Sequence, residues 1–241
     1  METLNIKNNY YEKIKELYDK YKDDMYILER GLIIVKELFY KPDLLILGLN
    51  PSYNPSHDEI VKNQQNLSFW YPYLIPNEGK GSKNDIQNDH IFLEDKEFYI
   101  NTYIYEKYYN YLKKINFLDK WEYFDLFWVR ESKSEILESL PSKTNFLEEQ
   151  IQISIEIIKK IHPKIIVGAY GSLNYLAKYT KNDEKFLIIE TESKLKEKLE
   201  HNSFDNLIII LKFLTYLPKP INYSLTKYIV TTDFLLNYLK L

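Results

Sequence analysis

The run Leu44-Leu45-Ile46-Leu47 goes straight into Gly48, which hands the chain to Leu49-Asn50-Pro51-Ser52. An apolar strand that ends on glycine and delivers an amide to a proline-stiffened loop has two readings. It is a tight turn, or it presents Asn50 at the mouth of a pocket. An amide forms hydrogen bonds but cannot take a proton as a carboxylate can. The pattern occurs twice: Ile165-Ile166-Val167 ends at Gly168, and Gly171-Ser172 follow. The chain has only six glycines, and two of them directly follow buried apolar runs. Glycine at such a place allows unusual backbone angles and close approach of another group.

Other chemistry-bearing residues are few. The four histidines show no His-x-x-x-His or similar ligand spacing, so no metal is expected. His57 lies in the loop after Gly48, either solvated or near the pocket, and His90 follows Asp89. His162 precedes Pro163 at a helix end, where a cation suits the dipole, and His201 falls in a charged stretch. With no cysteine, disulfides, thiol catalysis and cysteine-ligated zinc or iron–sulfur sites are excluded. Arg130-Glu131 is either an ion pair anchoring a loop or a pair that reaches a ligand.

The elements that must position these residues follow from periodicity. Asn9–Lys22 reads as an amphipathic helix, with Tyr10, Ile14, Leu17 and Tyr18 on one face. Met25–Tyr40 is open between helix and strand. Leu44–Leu47 is a buried strand. Asn50–His90 is a long polar loop punctuated by prolines and glycines, a length that usually carries function or disorder. Glu97–Ile115 is a helix, Tyr123–Val129 a strand, and Phe146–Ile161 a helix stopped by His162-Pro163. Ile165–Val167 is a strand. Gly171-Ser172 open a helix through Tyr179, with Ser172 as its N-cap. Phe186–Ile189 and Leu207–Leu211 are strands, and Ser224–Leu239 is a helix. The stretch "KLKEKLEHN" reads as a solvated helix face. Strands separated by helices predict a mostly parallel sheet covered on both faces. Ligands bind beyond the carboxyl ends of such strands, here 48–50, 129–131, 168–172 and 213–218.

The 241 residues show no internal repeat and no long linker, so a single domain is expected. A net charge of −3 and an isoelectric point near 5.9 exclude coating nucleic acid by charge alone, but not a local basic groove. The 23 tyrosines accompany abundant Lys, Ile and Asn, the composition of AT-rich coding, so tyrosine number does not mark a binding surface. The charged N-terminus has no apolar signal core and no apolar run approaches a membrane span. A cytoplasmic protein with no membrane partner is the simplest expectation.

The order of features carries a resemblance. The strand leads into Gly48-Leu49-Asn50-Pro51-Ser52, then a loop bearing Phe69-Trp70-Tyr71. The strand Tyr123-Phe124-Asp125-Leu126-Phe127 comes next, then a helix into Ile165-Ile166-Val167-Gly168, and a last strand into a proline-containing loop. This resembles the uracil-DNA glycosylase superfamily. The first motif is closest to the mismatch-specific and single-strand-selective branches, which carry Gly-x-Asn-Pro-Gly; here Ser52 replaces the final glycine. The likeness covers most of the chain in element order, and in letters only the first motif.

The resemblance implies a single α/β domain with a mainly parallel four-stranded sheet between helices. It implies a DNA glycosylase that acts without cofactor or metal on a base flipped from single- or double-stranded DNA. Asn50 would position the water, with Thr215 the second catalytic candidate. Gly48, Leu49, Pro51 and Ser52 would shape the substrate loop. Phe69 or Trp70 would stack on the base, or else cap the core beneath the loop. Asp125 would face the base, or else serve as a hydrogen-bonded strand residue. Ser172 would line the site, while Lys212, Lys219 and Lys227 would meet DNA. The departure is "KFLTYLPKPINYSLTK" (212–227). Relatives carry a His-Pro-Ser-Pro-like segment or Asn-Pro-Ser there. Here neither histidine nor asparagine precedes the first proline, and Thr215 and Tyr216 fall near that place.

Two other readings stay open. One is a non-catalytic member of the same fold that binds nucleic acid or a nucleobase. The other is an unrelated α/β enzyme on a small phosphorylated molecule, for which neither G-x-G-x-x-G nor a Walker A motif is present. The base, strand preference and oligomeric state are not written in the sequence.

Overall fold

The computed structural model describes residues 2–21, 34–49, 92–93, 121–129, 141–201, 204 and 206–216. The helices expected over Glu97–Ile115 and Ser224–Leu239 lie outside the described residues. The chain opens with β1 (Thr3–Asn5) and α1 (Ile6–Tyr21), followed by β2 (Ile34–Val35), β3 (Glu37–Phe39) and β4 (Leu44–Gly48). After β5 (Phe92–Leu93) and β6 (Trp121–Asp125) come α2 (Pro141–Ile161), β7 (Ile165–Ala169) and α3 (Tyr170–Thr180). Then follow β8 (Phe186–Ile189), α4 (Glu192–His201) and β9 (Ile208–Tyr216). The part of Met25–Tyr40 that is described, 34–40, is strand rather than helix.

The main sheet has the order β6-β4-β7-β9-β8, and every neighbouring pair is parallel. A parallel strand covered on both faces must be apolar at nearly every position. All five residues of β4 are buried, as are Ile165, Ile166 and Val167 of β7 and Ile208–Leu211 of β9. Each fully buried leucine or isoleucine contributes roughly 1.5–3 kcal/mol. The sheet has five strands rather than four. The fifth, β8, sits at the edge, where Leu187 and Ile188 are only partly covered.

Strand β6 is buried throughout although it carries two carboxylates. Glu122 accepts the Phe39 backbone N–H at 2.7 Å, which ties the small antiparallel β1–β3 pair to the edge of the main sheet. Asp125 accepts the Tyr123 hydroxyl.

Helix α1 buries Ile6, Tyr10, Ile14, Leu17 and Tyr18, the i, i+4, i+7 stripe that a 3.6-residue repeat demands. It packs along α2, where Lys13–Glu156 (2.6 Å) and Lys20–Glu149 (2.5 Å) border the contact. These exposed pairs fix alignment more than stability. Helix α2 begins at Pro141, before the apolar periodicity starts, because proline suits a first turn whose N–H groups have no helical partner. It ends where His162 adopts a left-handed φ of 53° and Pro163 prevents continuation. Among the described residues no helix is long and apolar enough to cross a membrane.

Candidate functional site

The chain passes from β4 outward to β6, then crosses back to β7 on the other side of β4. Strand order therefore reverses between β4 and β7. In open parallel sheets the ligand crevice lies outside the carboxyl ends at such a point. The register aligns what converges there. Gly48 stands opposite Asp125, Leu47 opposite Gly168, and Gly168 opposite Thr215. A register shift between Ile166 and Gly168 gives β9 extra residues and carries Thr215 up to this level.

Three contacts close the seam between β4 and β7. A β-carbon on Gly168 would overlap the Leu47 carbonyl oxygen, a backbone atom that cannot turn aside, so only glycine lets the two strands approach. The Ser172 hydroxyl, fully buried, donates to that same carbonyl at 2.9 Å. Gly171 meets Leu49, whose δ-carbons would stand 3.5 and 3.7 Å from a β-carbon on residue 171. Leu49 is thereby lodged against the start of α3, one residue before Asn50.

On the other side of β4, Leu126 N–H donates to the Gly48 carbonyl (3.0 Å) and Phe127 N–H to the Leu49 carbonyl (2.8 Å). The Leu126 carbonyl in turn accepts Ser154 Oγ (2.8 Å) and Gln150 Nε2 (3.2 Å) from α2. Gly48 answers a specific steric demand. A β-carbon there would overlap both Asp125 Oδ1 and Tyr123 Oη, so the strand ends on glycine because this hydrogen-bonded pair occupies the space above its Cα.

The structure therefore brings Gly48, Leu49, Asp125, Ser172 and the backbone of Thr215 to one edge. Asn50, Pro51, Ser52, Phe69, Trp70, Lys219 and Lys227 lie outside the described residues, as do His57, His90 and Arg130-Glu131. Ser172 is not the N-cap: α3 starts at Tyr170, and the serine proton goes across the sheet to Leu47 instead. Lys212 is held by Glu190 at 3.5 Å, and Glu190 also pairs with Lys194 at 3.3 Å. Those lysines, Lys194 foremost through its hydrogen bond, hold the Glu190 carboxyl below its usual range. At the helix end, protonation of His162 is disfavoured. Burial, then the charges of Lys185 and Lys41, push its imidazole below the ordinary value, favouring the neutral ring.

Two residues escape sequence reasoning. Tyr123 is recognisable only through its i, i+2 spacing from Asp125, which puts both side chains on one face of a strand. Tyr170, at the first position of α3 beside the seam, is 60% exposed, the only exposed large apolar side chain among the described residues. Nothing distinguishes it in a tyrosine-rich sequence. An open hollow of about 560 Å³ between Lys178 and Lys185 lies at the opposite, amino end of the sheet, where α3 turns into β8. Among the described residues no group of three or more His, Asp or Glu is placed to hold a metal ion.

No family model, curated protein or solved structure matches this chain.

Proposed function

We propose that the protein is a DNA glycosylase-like hydrolase with a uracil-DNA glycosylase-like fold. It would cleave the N-glycosidic bond of uracil or another damaged base. The observation that carries the reading is the register at the carboxyl edge. Gly48 stands opposite Asp125, and one residue earlier on β4 Leu47 stands level with Gly168 and Thr215, at the point where strand order reverses; Asn50-Pro51-Ser52 follow within four residues of Gly48.

A stacked base is out of reach, so the target nucleotide is flipped into the crevice. Asn50 then holds the attacking water, and Pro51 stiffens the loop that carries it. Phe69 or Trp70 offers the flat surface for the base. Asp125, when ionised, only accepts hydrogen bonds, so it pairs with an N–H on the base edge. Charge develops on the departing base, and donors aimed at it contribute most in the transition state. Thr215 is the candidate at the second motif. Lys212, Lys219 and Lys227 meet the phosphates. This hydrolysis calls for no cofactor.

One observation favours a second reading, a binder of nucleic acid or nucleobases without catalysis: neither histidine nor asparagine precedes Pro218. A panel of single- and double-stranded oligonucleotides with uracil, hypoxanthine and mismatches, scored for abasic sites and for binding, separates the two. Base release supports the glycosylase, binding without release supports the binder, and neither supports an unrelated enzyme.

A further inference from the structure

We propose that Tyr123 is a positioning residue, whose hydroxyl fixes the Asp125 carboxyl group at the carboxyl edge. The inference rests on the reading of that edge as the base site. Tyr123 and Asp125 are two residues apart on β6, so their side chains leave the same face of the sheet. Tyr123 Oη donates to Asp125 Oδ1, and both residues are buried, at 1% and 6% exposure. Gly48 forms the floor beneath both atoms, since any side chain there would displace them.

The choice of tyrosine is informative. Burying a hydroxyl without a partner costs roughly 1–3 kcal/mol, and phenylalanine fills core space without that risk, as neighbouring Phe124 and Phe127 do. The oxygen of Tyr123 does more than fill space: it is hydrogen-bonded to the Asp125 carboxyl group. A hydrogen bond donated to a carboxylate favours its charged form, whereas burial alone would drive it to the neutral acid. The pair thus supplies an oriented carboxyl group, which in its charged form accepts N–H donors on a base edge and does not suit a carbonyl.

The test is Tyr123→Phe, which keeps the ring and removes only the donor, beside Asp125→Asn. The Asp125 carboxyl is titrated by carbon-13 NMR in the free full-length protein, and base release is measured across pH. Tyr123→Phe is expected to move the Asp125 titration upward by about one pH unit. The acidic limb of the base-release profile should shift in the same direction, and kcat should fall about tenfold to a hundredfold through misplacement. An unchanged Asp125 titration overturns the proposal, as does a shifted titration with unaltered base release. Wild type that neither binds nor releases any base overturns the underlying glycosylase reading as well. That outcome is recognised because the unsubstituted protein is itself silent.

Discussion

The Asp125 carboxylate occupies the space that a side chain on Gly48 would need, with the two residues paired across β6 and β4. Gly48→Ala is therefore expected to destabilise the protein by about 1–3 kcal/mol through overpacking. The cost should shrink when Asp125→Ala is added, because the obstructing group is then gone. Urea unfolding of the single and double variants measures this coupling; strictly additive losses would show that the two residues do not compete for space.

Gly168→Ala is a harsher change. Its β-carbon would meet the Leu47 carbonyl, which is backbone, so the strands themselves must separate. The expected loss is roughly 3 kcal/mol or more. Ser172→Ala, which strands the same buried carbonyl without its 2.9 Å hydrogen bond, should cost about 1–2 kcal/mol. Equal destabilisation by the two substitutions would contradict the steric account of this seam.

How much of this was legible in the sequence differs from element to element. Strand β4 was readable because a strand buried on both faces is apolar at every position. The face of α1 was readable from its spacing. Register was not. That Gly48 stands opposite Asp125, or that Ser172 reaches Leu47, depends on strands more than seventy residues apart meeting at one offset, and no local pattern encodes the offset. Hence Ser172 read as a helix cap and Tyr123 as one tyrosine among many. The start of α2 at Pro141 escaped because apolar periodicity begins only at Phe146. The roles of Asn50, Phe69 and Trp70 rest on the motif rather than on geometry.

His162 predicts a pH dependence of stability. Its folded pKa lies below the ordinary 6.5, because burial and the charges of Lys185 and Lys41 oppose protonation. The unfolded chain then binds the proton more readily than the folded one. Stability should be fully present above about 6.5 and fall as pH drops from there toward the lower folded value. His162→Asn, which tolerates the left-handed backbone angle, should flatten thermal unfolding midpoints between pH 7 and pH 5. A slope identical to wild type would remove His162 as its source.

The proposed glycosylase reading predicts weak, salt-sensitive DNA binding from few cations, because the whole chain is acidic. From few phosphate contacts a slope of roughly −2 to −4 in log affinity against log salt is expected. Glu190 holds Lys212, so Glu190→Gln should strengthen binding and steepen the slope. Lys219→Glu should weaken binding and flatten it. Salt titrations unchanged in both variants would remove these lysines from the interface.

The most direct test of the central claim is single-turnover abasic-site formation by wild type and Asn50→Ala, beside binding of the same oligonucleotide. The water contact matters chiefly in the transition state. Wild type should therefore release the base, while Asn50→Ala retains most of its affinity and loses about a hundredfold or more in rate. Equal activity of the two proteins would contradict the assignment of Asn50. Binding by wild type with no base released from any substrate would contradict the glycosylase itself.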